Sequence, residues 1–297
     1  MTKTKVSIII PSYNTEWLLE KNIPHVLSAQ KNEKNNIIEI IVVDDASPDG
    51  SVGLLKKKFP EVKVVQHKIN RGFSSSVNTG ARTSKGDLLV LLNTDVIPER
   101  DFLVSTLPLF KDNNVFAISL SEKDYSWAKG EFKNGFVEHG AGIKTKKVHD
   151  TFWVSGGSGV FRRNYWMSLG GMDEKLLSPF YWEDLDLSYR ALKRGYKLLW
   201  DPDARVLHKH ESTIGLLPKK YVGRIRERNQ LIFIWKNITS PTLIRKHIIG
   251  LSKRTLRHPG YVRIVMMALS KIRWILRARK KEKKDCKVSD EAIFARF

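Results

Sequence analysis

Three carboxylic acids fall within four positions at Glu183, Asp184 and Asp186, directly after the aromatic pair Tyr181-Trp182. Acids in the first turn of a helix offset its dipole, and one acid there would need no other reason. Three so close repel one another. That repulsion raises the pKa of at least one, which suits a group that takes a proton from a hydroxyl near neutral pH. A second set of oxygen donors is Asn93-Thr94-Asp95, where an apolar run ends. A carboxylate in that place fits a turn, or a contact to a hard divalent cation. His208 and His210 alternate along an extended stretch, so they point the same way. Imidazole is a good ligand for a metal such as Mn2+, although a lone histidine is more often structural. Asp44-Asp45 ends a further apolar run. Taken alone, Asp-Asp-Ala-Ser-Pro-Asp-Gly reads first as a turn or helix cap. Its second reading is an acceptor for a base imide or a ribose hydroxyl. Arg71 is a cation that meets phosphate or stays solvated. Gly156-Gly157-Ser158-Gly159 marks a place where the backbone passes close to something.

These residues need elements to hold them. Val6–Ile10, Ile37–Val43, Val62–Gln66 and Leu88–Leu92 are short apolar runs that read as buried strands. Between them Trp17–Gln30, Val52–Phe59 and Ser74–Thr83 carry helical spacing. Strand and helix alternate, which predicts an α/β fold with a mostly parallel central sheet. Ligands in such sheets bind beyond the carboxyl ends of the strands. Those ends here are Pro11–Asn14, Asp44-Asp45 and Asn93–Asp95, three polar termini on one rim. Residues 119–150 read as irregular, with a hairpin around Gly135–Ile143. Asn164–Leu169 and Trp182–Arg194 read as helices, and Leu198–Trp200 and Ala204–Leu207 as two short extended stretches.

The chain has 297 residues and a net charge of +21. The charge is uneven: residues 215–297 hold 22 Lys and Arg against 5 acids, while residues 1–214 hold 30 against 26. This divides the chain into a nearly neutral body, 1–214, and a basic helical extension, 215–297, suited to an anionic partner. Lys219–Trp235 and Tyr261–Lys281 have helical spacing, and the second reads as a basic amphipathic helix that lies in a membrane interface, with Trp274 near its boundary. Its other reading is a helix packed on the core. Cys286 is alone, so no intrachain disulfide forms and a reducing compartment is expected. No leader pattern and no uncharged span of membrane length is read in the sequence. Nucleic acid is not the expected partner, because the basic charge lies outside the α/β part and the rim is acidic.

Nine segments, in order, resemble the inverting family-two glycosyltransferases of GT-A fold. They are VSIIIPSYN (6–14), IVVDDAS (41–47), NRGF (70–73), NTG (78–80), GDLLVLLNTD (86–95), GGSGVFR (156–162), LGGMD (169–173), WEDLDLSYR (182–190) and VLHKHES (206–212). The details are most similar to the bacterial rhamnosyltransferase and galactofuranosyltransferase branch, which builds surface polysaccharide. The resemblance implies a Rossmann-like nucleotide-sugar-binding domain and transfer of one sugar from a nucleoside diphosphate to an acceptor hydroxyl. It makes Asp184 the general base, with Glu183 orienting the acceptor or the metal's surroundings. Asp45, supported by Asp44, would hold the base in a pocket shaped by Pro11, Tyr13 and Asn14. Arg71, Asn93 and Asp95 would face the diphosphate. Asp95 and His208 would hold a divalent cation, Mn2+ or Mg2+; the family's usual Asp-x-Asp is Asn93-Thr94-Asp95 here, one carboxylate short. Trp182, Gly157 and Ser158 would border the acceptor, a glycan or lipid-linked saccharide. The expected location is cytoplasmic, peripheral on the inner face of the membrane. The alternatives are a nucleotide-sugar-binding protein without activity, which would not need Asp184, and a nucleotidyltransferase of similar fold, a class marked by a glycine- and arginine-rich loop after the first strand, where this chain has Pro-Ser-Tyr-Asn.

Overall fold

The computed structural model describes residues 3–123, 125–209, 215 and 217–297; His210 lies outside them. Strands β1 (Val6–Ser12), β2 (Ile37–Asp44), β3 (Lys63–Gln66) and β4 (Leu88–Leu92) stand parallel in the order β3-β2-β1-β4. Helices α1 (Glu16–Gln30), α2 (Ser51–Lys58) and α3 (Phe73–Thr83) connect them. Both faces of β1 and β4 are buried, which is why these strands are continuous apolar runs rather than alternating ones; the edge strand β3 is partly exposed. Side chains still alternate between faces. Val6, Ile8 and Ile10 enter one core with Leu19, Ile23 and Val26 of α1. Ile9, Ile41, Val43, Leu89 and Leu91 enter the other with Val77 and Ala81 of α3. Each such isoleucine, at 0–2% exposure, stabilises the fold by roughly 1.5–3 kcal/mol.

The second half of the sheet departs from the expected parallel order. It contains β5 (Val96–Pro98), then after α4 (Thr106–Leu109) β6 (Val115–Glu122), and after the hairpin β7 (Ala128–Lys133) and β8 (Phe136–Ala141) it adds β9 (His149–Asp150) and β10 (Ser158–Arg162). Helices α5 (Arg163–Leu169) and α6 (Glu183–Lys193) lead to β11 (Lys197–His208). Strand β10 is antiparallel to both neighbours, β4 and β6; β11 is parallel to β6 and antiparallel to β5 and β9. The sheet is therefore parallel in one half and mixed in the other. The two short stretches expected at 198–207 are one strand, interrupted by a register shift between Trp200 and Arg205. The 128–141 hairpin turns on Asn134-Gly135, both with positive φ (52° and 86°), as a tight two-residue turn requires.

Helices α7 (Lys219–Asn237), α8 (Pro241–Arg257), α9 (Val262–Leu269), α10 (Ile272–Lys284) and α11 (Asp290–Phe294) complete the described chain. The continuous helix expected over 261–281 is two helices, broken at Ser270-Lys271. Lys271 Nζ is drawn inward there and donates to the carbonyls of Lys175 (2.7 Å) and Leu176 (3.0 Å). Tyr261, Ile264, Ala268, Ile275 and Ile293 join the apolar cluster that holds Phe161, Leu185 and Tyr189. The charge boundary near residue 214 is thus not a packing boundary. Among the described residues no helix is long and apolar enough to cross a membrane.

Candidate active site

Helix α6 presents the acids. Its N-terminus is set by Tyr181 and Trp182, both in the left-handed region (φ 71° and 76°). Non-glycine residues so placed cost about 1–3 kcal/mol each and persist only where surroundings impose them. The imposing residue is Asn229 of α7, fully buried, whose amide donates to the carbonyls of Leu177 (2.6 Å), Phe180 (3.0 Å) and Tyr181 (2.9 Å). Arg228 beside it donates to the carbonyl of Ser178 (2.6 Å). Behind the acids, α6 is clamped by buried charge. Asp186 accepts from Arg190 Nε (2.8 Å), Lys236 Nζ (2.9 Å) and Asn237 Nδ2 (2.7 Å). Burial alone would raise its pKa; Lys236 and Arg190 outweigh that and hold it low. At the far end Lys193 Nζ meets Asp290 Oδ1 at 2.9 Å with both side chains at 0% exposure, and Arg194 meets Glu282 at 2.7 Å.

Asp184 lies against the Gly156 loop. Its Oδ2 accepts from Gly156 N–H (3.1 Å) and its Oδ1 from Leu185 N–H (2.8 Å). Burial raises its pKa, partly opposed by those donors. Glu183 is pushed up further, to about 8, by burial and then by the charge of Asp184. Its Oε2 is buried with no hydrogen-bond partner. Of the pair, Glu183 is the one that burial and the charge of Asp184 keep protonated near neutral pH.

Asp184, Trp182, Ser155, His208 and Glu122 line one cavity of about 510 Å3, together with Tyr125, His139, Trp153, Tyr181 and Arg226. The cavity's aromatic walls, with polar groups between them, suit the faces of a sugar ring. His139 packs edge-on to Trp153 (5.8 Å) and Trp182 (5.7 Å), and its pKa is lowered by burial and by Arg226. The Arg226 guanidinium sits 4.6 Å from the Tyr181 ring centre. His139, Trp153 and Arg226 were not legible as site residues: they come from a hairpin, a loop and α7 that only tertiary packing brings together.

Asp95 meets His208 through strand register. Val96 pairs with His208 across β5 and β11, and the neighbouring Asp95 Oδ1 lies 3.3 Å from His208 Nε2. His208 Nδ1 is 3.1 Å from Glu122 Oε2. Burial would lower the imidazole's pKa, but the hydrogen bonds and charges of Asp95 and Glu122 raise it to about 9. A carboxylate and an imidazole whose donor atoms are this close fit two ligands of one ion, since adjacent ligands about 2.1 Å from an ion lie about 3 Å apart. Among the described residues no three donor side chains form a metal cage, so substrate oxygens would complete the shell.

The other expected residues sit as follows. Gly157 and Ser158 stand behind the cavity wall. A side chain on Gly157 would strike the Asn93 amide at 2.4 Å, so the glycine makes room for Asn93, and the buried Ser158 hydroxyl donates to Glu122 Oε1. Asp45 is already saturated: it accepts from His67 Nδ1 (2.7 Å), from Arg71 N–H (2.9 and 3.1 Å) and from Gly72 N–H (2.7 Å). These contacts tie the 71–72 loop to the end of β2. Asp44 Oδ2 accepts from Ser47 N–H (3.1 Å), and its Oδ1 is buried without a partner. Asn14 N–H donates to Ser47 Oγ (3.0 Å), tying the ends of β1 and β2; Tyr13, 43% exposed, and the half-buried Pro11 flank it. The Arg71 side chain turns away toward Glu174 (3.8 Å) and lines a different cavity.

Comparison with known proteins agrees with this architecture. The sequence pattern of glycosyl transferase family 2 matches residues 7–166, more than half of the chain. The chain is 29% identical over 188 residues to the pre-mycofactocin glycosyltransferase of Mycobacterium tuberculosis, covering 60% of this chain and 38% of that protein, so it spans under two-fifths of that relative. It is 25% identical over 219 residues to the O-antigen chain rhamnosyltransferase WbaN of Salmonella anatum, covering 70% of this chain and 67% of that one. The solved mannosyltransferase PcManGT of Pyrobaculum calidifontis, in complex with GDP-Man and Mn2+, superposes with a TM-score of 0.58 at 18% identity over 96% of this chain and 89% of that one. These likenesses set aside the nucleotidyltransferase alternative. An α/β sheet that places paired acids opposite a carboxylate–imidazole pair is here the GT-A fold, and the chain belongs to glycosyl transferase family 2, a family of sugar-transferring enzymes.

Proposed function

We propose that this enzyme transfers a sugar from a nucleoside-diphosphate sugar to an acceptor hydroxyl by a single in-line displacement with inversion, in the synthesis of a cell-surface glycan. The observation that carries this reading is Asp184: a half-buried carboxylate, fixed by two backbone N–H groups, on the wall of an aromatic cavity that also holds His208. Asp184 takes the acceptor proton, and the freed oxygen attacks the anomeric carbon from the face opposite the diphosphate. Glu183, kept neutral, leaves Asp184 as the ionised member of the pair. Trp182 and Trp153 orient the acceptor ring. Asp95 and His208, with Asn93 beside them, hold a divalent cation, Mn2+ or Mg2+, which when bound offsets the charge of the leaving diphosphate. Asp44, Pro11, Tyr13 and Asn14 form the nucleoside wall, and Asp45 keeps the Arg71 loop in place beside it.

The same reading places the acceptor on a lipid carrier and the enzyme at the cytoplasmic face of an anionic membrane. Its support is the net charge of +17 in residues 215–297 and the exposed apolar side chains among those charges, such as Leu256 and Trp274.

The test is a panel of nucleotide sugars with Mn2+, scored by release of nucleoside diphosphate. One donor is expected to be hydrolysed slowly by the wild type and not by Asp184→Asn, with donor binding retained. A variant that turns over normally would move the base elsewhere. Loss of donor binding in parallel would make Asp184 a structural or metal residue.

A further inference from the structure

A groove of about 650 Å3 lies between the β7–β8 turn and α8, on a part of the molecule that sugar transfer does not use. Two glycines build it. A side chain on Gly135 would strike the Lys246 carbonyl at 2.6 Å, and one on Gly250 would strike the Asn134 carbonyl at 2.3 Å. Turn and helix therefore meet backbone to backbone. His247 locks the contact: Trp235 Nε1–H donates to its Nε2 (2.9 Å), so its Nδ1 carries the hydrogen and donates to the Gly135 carbonyl (2.7 Å).

What the groove presents is positive charge. Lys246, Lys253, Arg254 and Arg257 share one face of α8 at steps of seven, eight and eleven residues, and all line the groove. No described lining residue is an acid. Arg254 is preorganised: its guanidinium lies 3.4 Å over the Phe136 ring and donates to Tyr261 Oη (3.3 Å). A solvated helix face would scatter such charges among carboxylates, whereas this one gathers them around a concave, aromatic-floored site. Apolar side chains stand beside it in the open: Ile249 is 50% exposed, Leu256 82%, and Val262 and Met266 on the next helix 48% and 59%. Charge that attracts phosphate, next to side chains that seek hydrocarbon, describes the two parts of a lipid.

We propose that this groove binds the phosphate of an anionic lipid headgroup, with Ile249 and Leu256 entering the acyl layer. The proposal rests on the membrane-surface reading above and centres the contact on α8 and the hairpin turn rather than on residues 261–281, of which Tyr261, Ile264, Ala268 and Ile275 pack into the core. Full-length protein is sedimented with vesicles of phosphatidylcholine alone and of phosphatidylcholine doped with phosphatidylglycerol, at low salt, beside Lys246→Ala/Lys253→Ala. Each cation removed should weaken anionic-vesicle binding about five-fold, so the double variant should lose about 25-fold. Its thermal melting and its nucleotide-sugar hydrolysis should match the wild type. Wild-type binding that the double variant retains would overturn the groove and leave the membrane reading standing. A wild type that ignores anionic vesicles would overturn both. Saturable binding of inorganic pyrophosphate by the wild type alone, without vesicle binding, would assign the groove to a soluble phosphate and overturn the lipid.

Discussion

Replacing Glu183 by Gln separates the two acids at the head of α6. Glu183 is held at about 8 against an ordinary 4.5, because its carboxyl is buried and faces the charge of Asp184. The folded-state value is raised, so the native state favours the protonated form. The burial penalty is absent below about pH 4.5, grows as pH rises, and is complete above about pH 8. At about 1.4 kcal/mol for each pKa unit, the ceiling is roughly 3 kcal/mol at pH 7 and roughly 5 kcal/mol at pH 9. Gln has nearly the same shape and no charge. Glu183→Gln should therefore melt with the wild type at pH 5 and above it at pH 9. Nucleoside diphosphate release by the variant should stay within about ten-fold of the wild type at pH 7, because the wild type already carries a neutral group there. It should also keep its rate at pH 9, where the wild type gains a second buried charge beside the base. Asp184→Asn should lose at least about 10²-fold at every pH. The reasoning fails if Glu183→Gln is as inactive as Asp184→Asn, or if its stability gain does not grow with pH.

Three further outcomes follow from the geometry. Asn229→Ala leaves carbonyls at 177–181 without their donor, at about 1–3 kcal/mol each, while relaxing Tyr181 and Trp182 returns part of that; a net loss of about 2 kcal/mol in denaturant melts and a fall in kcat of about 10²-fold with donor binding kept are expected, and unchanged kcat would show that the loop holds itself. Excess chelator should abolish turnover, and Asp95→Ala should lose both metal and nucleotide affinity by calorimetry; full turnover with no metal bound would refute the cation. Lys193→Met removes the cation that faces buried Asp290 and should cost about 3–5 kcal/mol in denaturant unfolding, although Tyr189 and the backbone at 239–240 still donate to that carboxylate; a loss under about 1 kcal/mol would mean that those donors suffice.

The parallel half of the fold was legible because its strands are buried on both faces, and Val6–Ile10 and Leu88–Leu92 show this as unbroken apolar runs. Strand β6 was not, since Val115–Glu122 mixes Ala and Ser with apolar residues and takes its partners from β10 and β11. Helix α8 was missed because its sequence, basic and apolar by turns, carries no acidic first turn; its start is marked only by Ser240 and Pro241. Asp184, Trp182 and His208 could be named from motifs and do share a cavity. The engagement of Asp45 by N–H groups 26 and 27 residues away could not be seen, because a cap and a long-range clamp use the same residue type. Nothing local in the sequence marks Asn229 as the residue that holds this loop; its partners, the carbonyls of Leu177, Phe180 and Tyr181, lie 48 to 52 residues away.

The buried pair at the back of α6 also sets an order of events. Lys193 is translated 97 residues before the carboxylate that neutralises it. Until Asp290 leaves the ribosome, the last turn of the helix that bears the acids would have to bury an uncompensated ammonium or stay open. The last turn of the helix that bears the acids thus gains its buried counter-charge only from the final residues of the chain to be made.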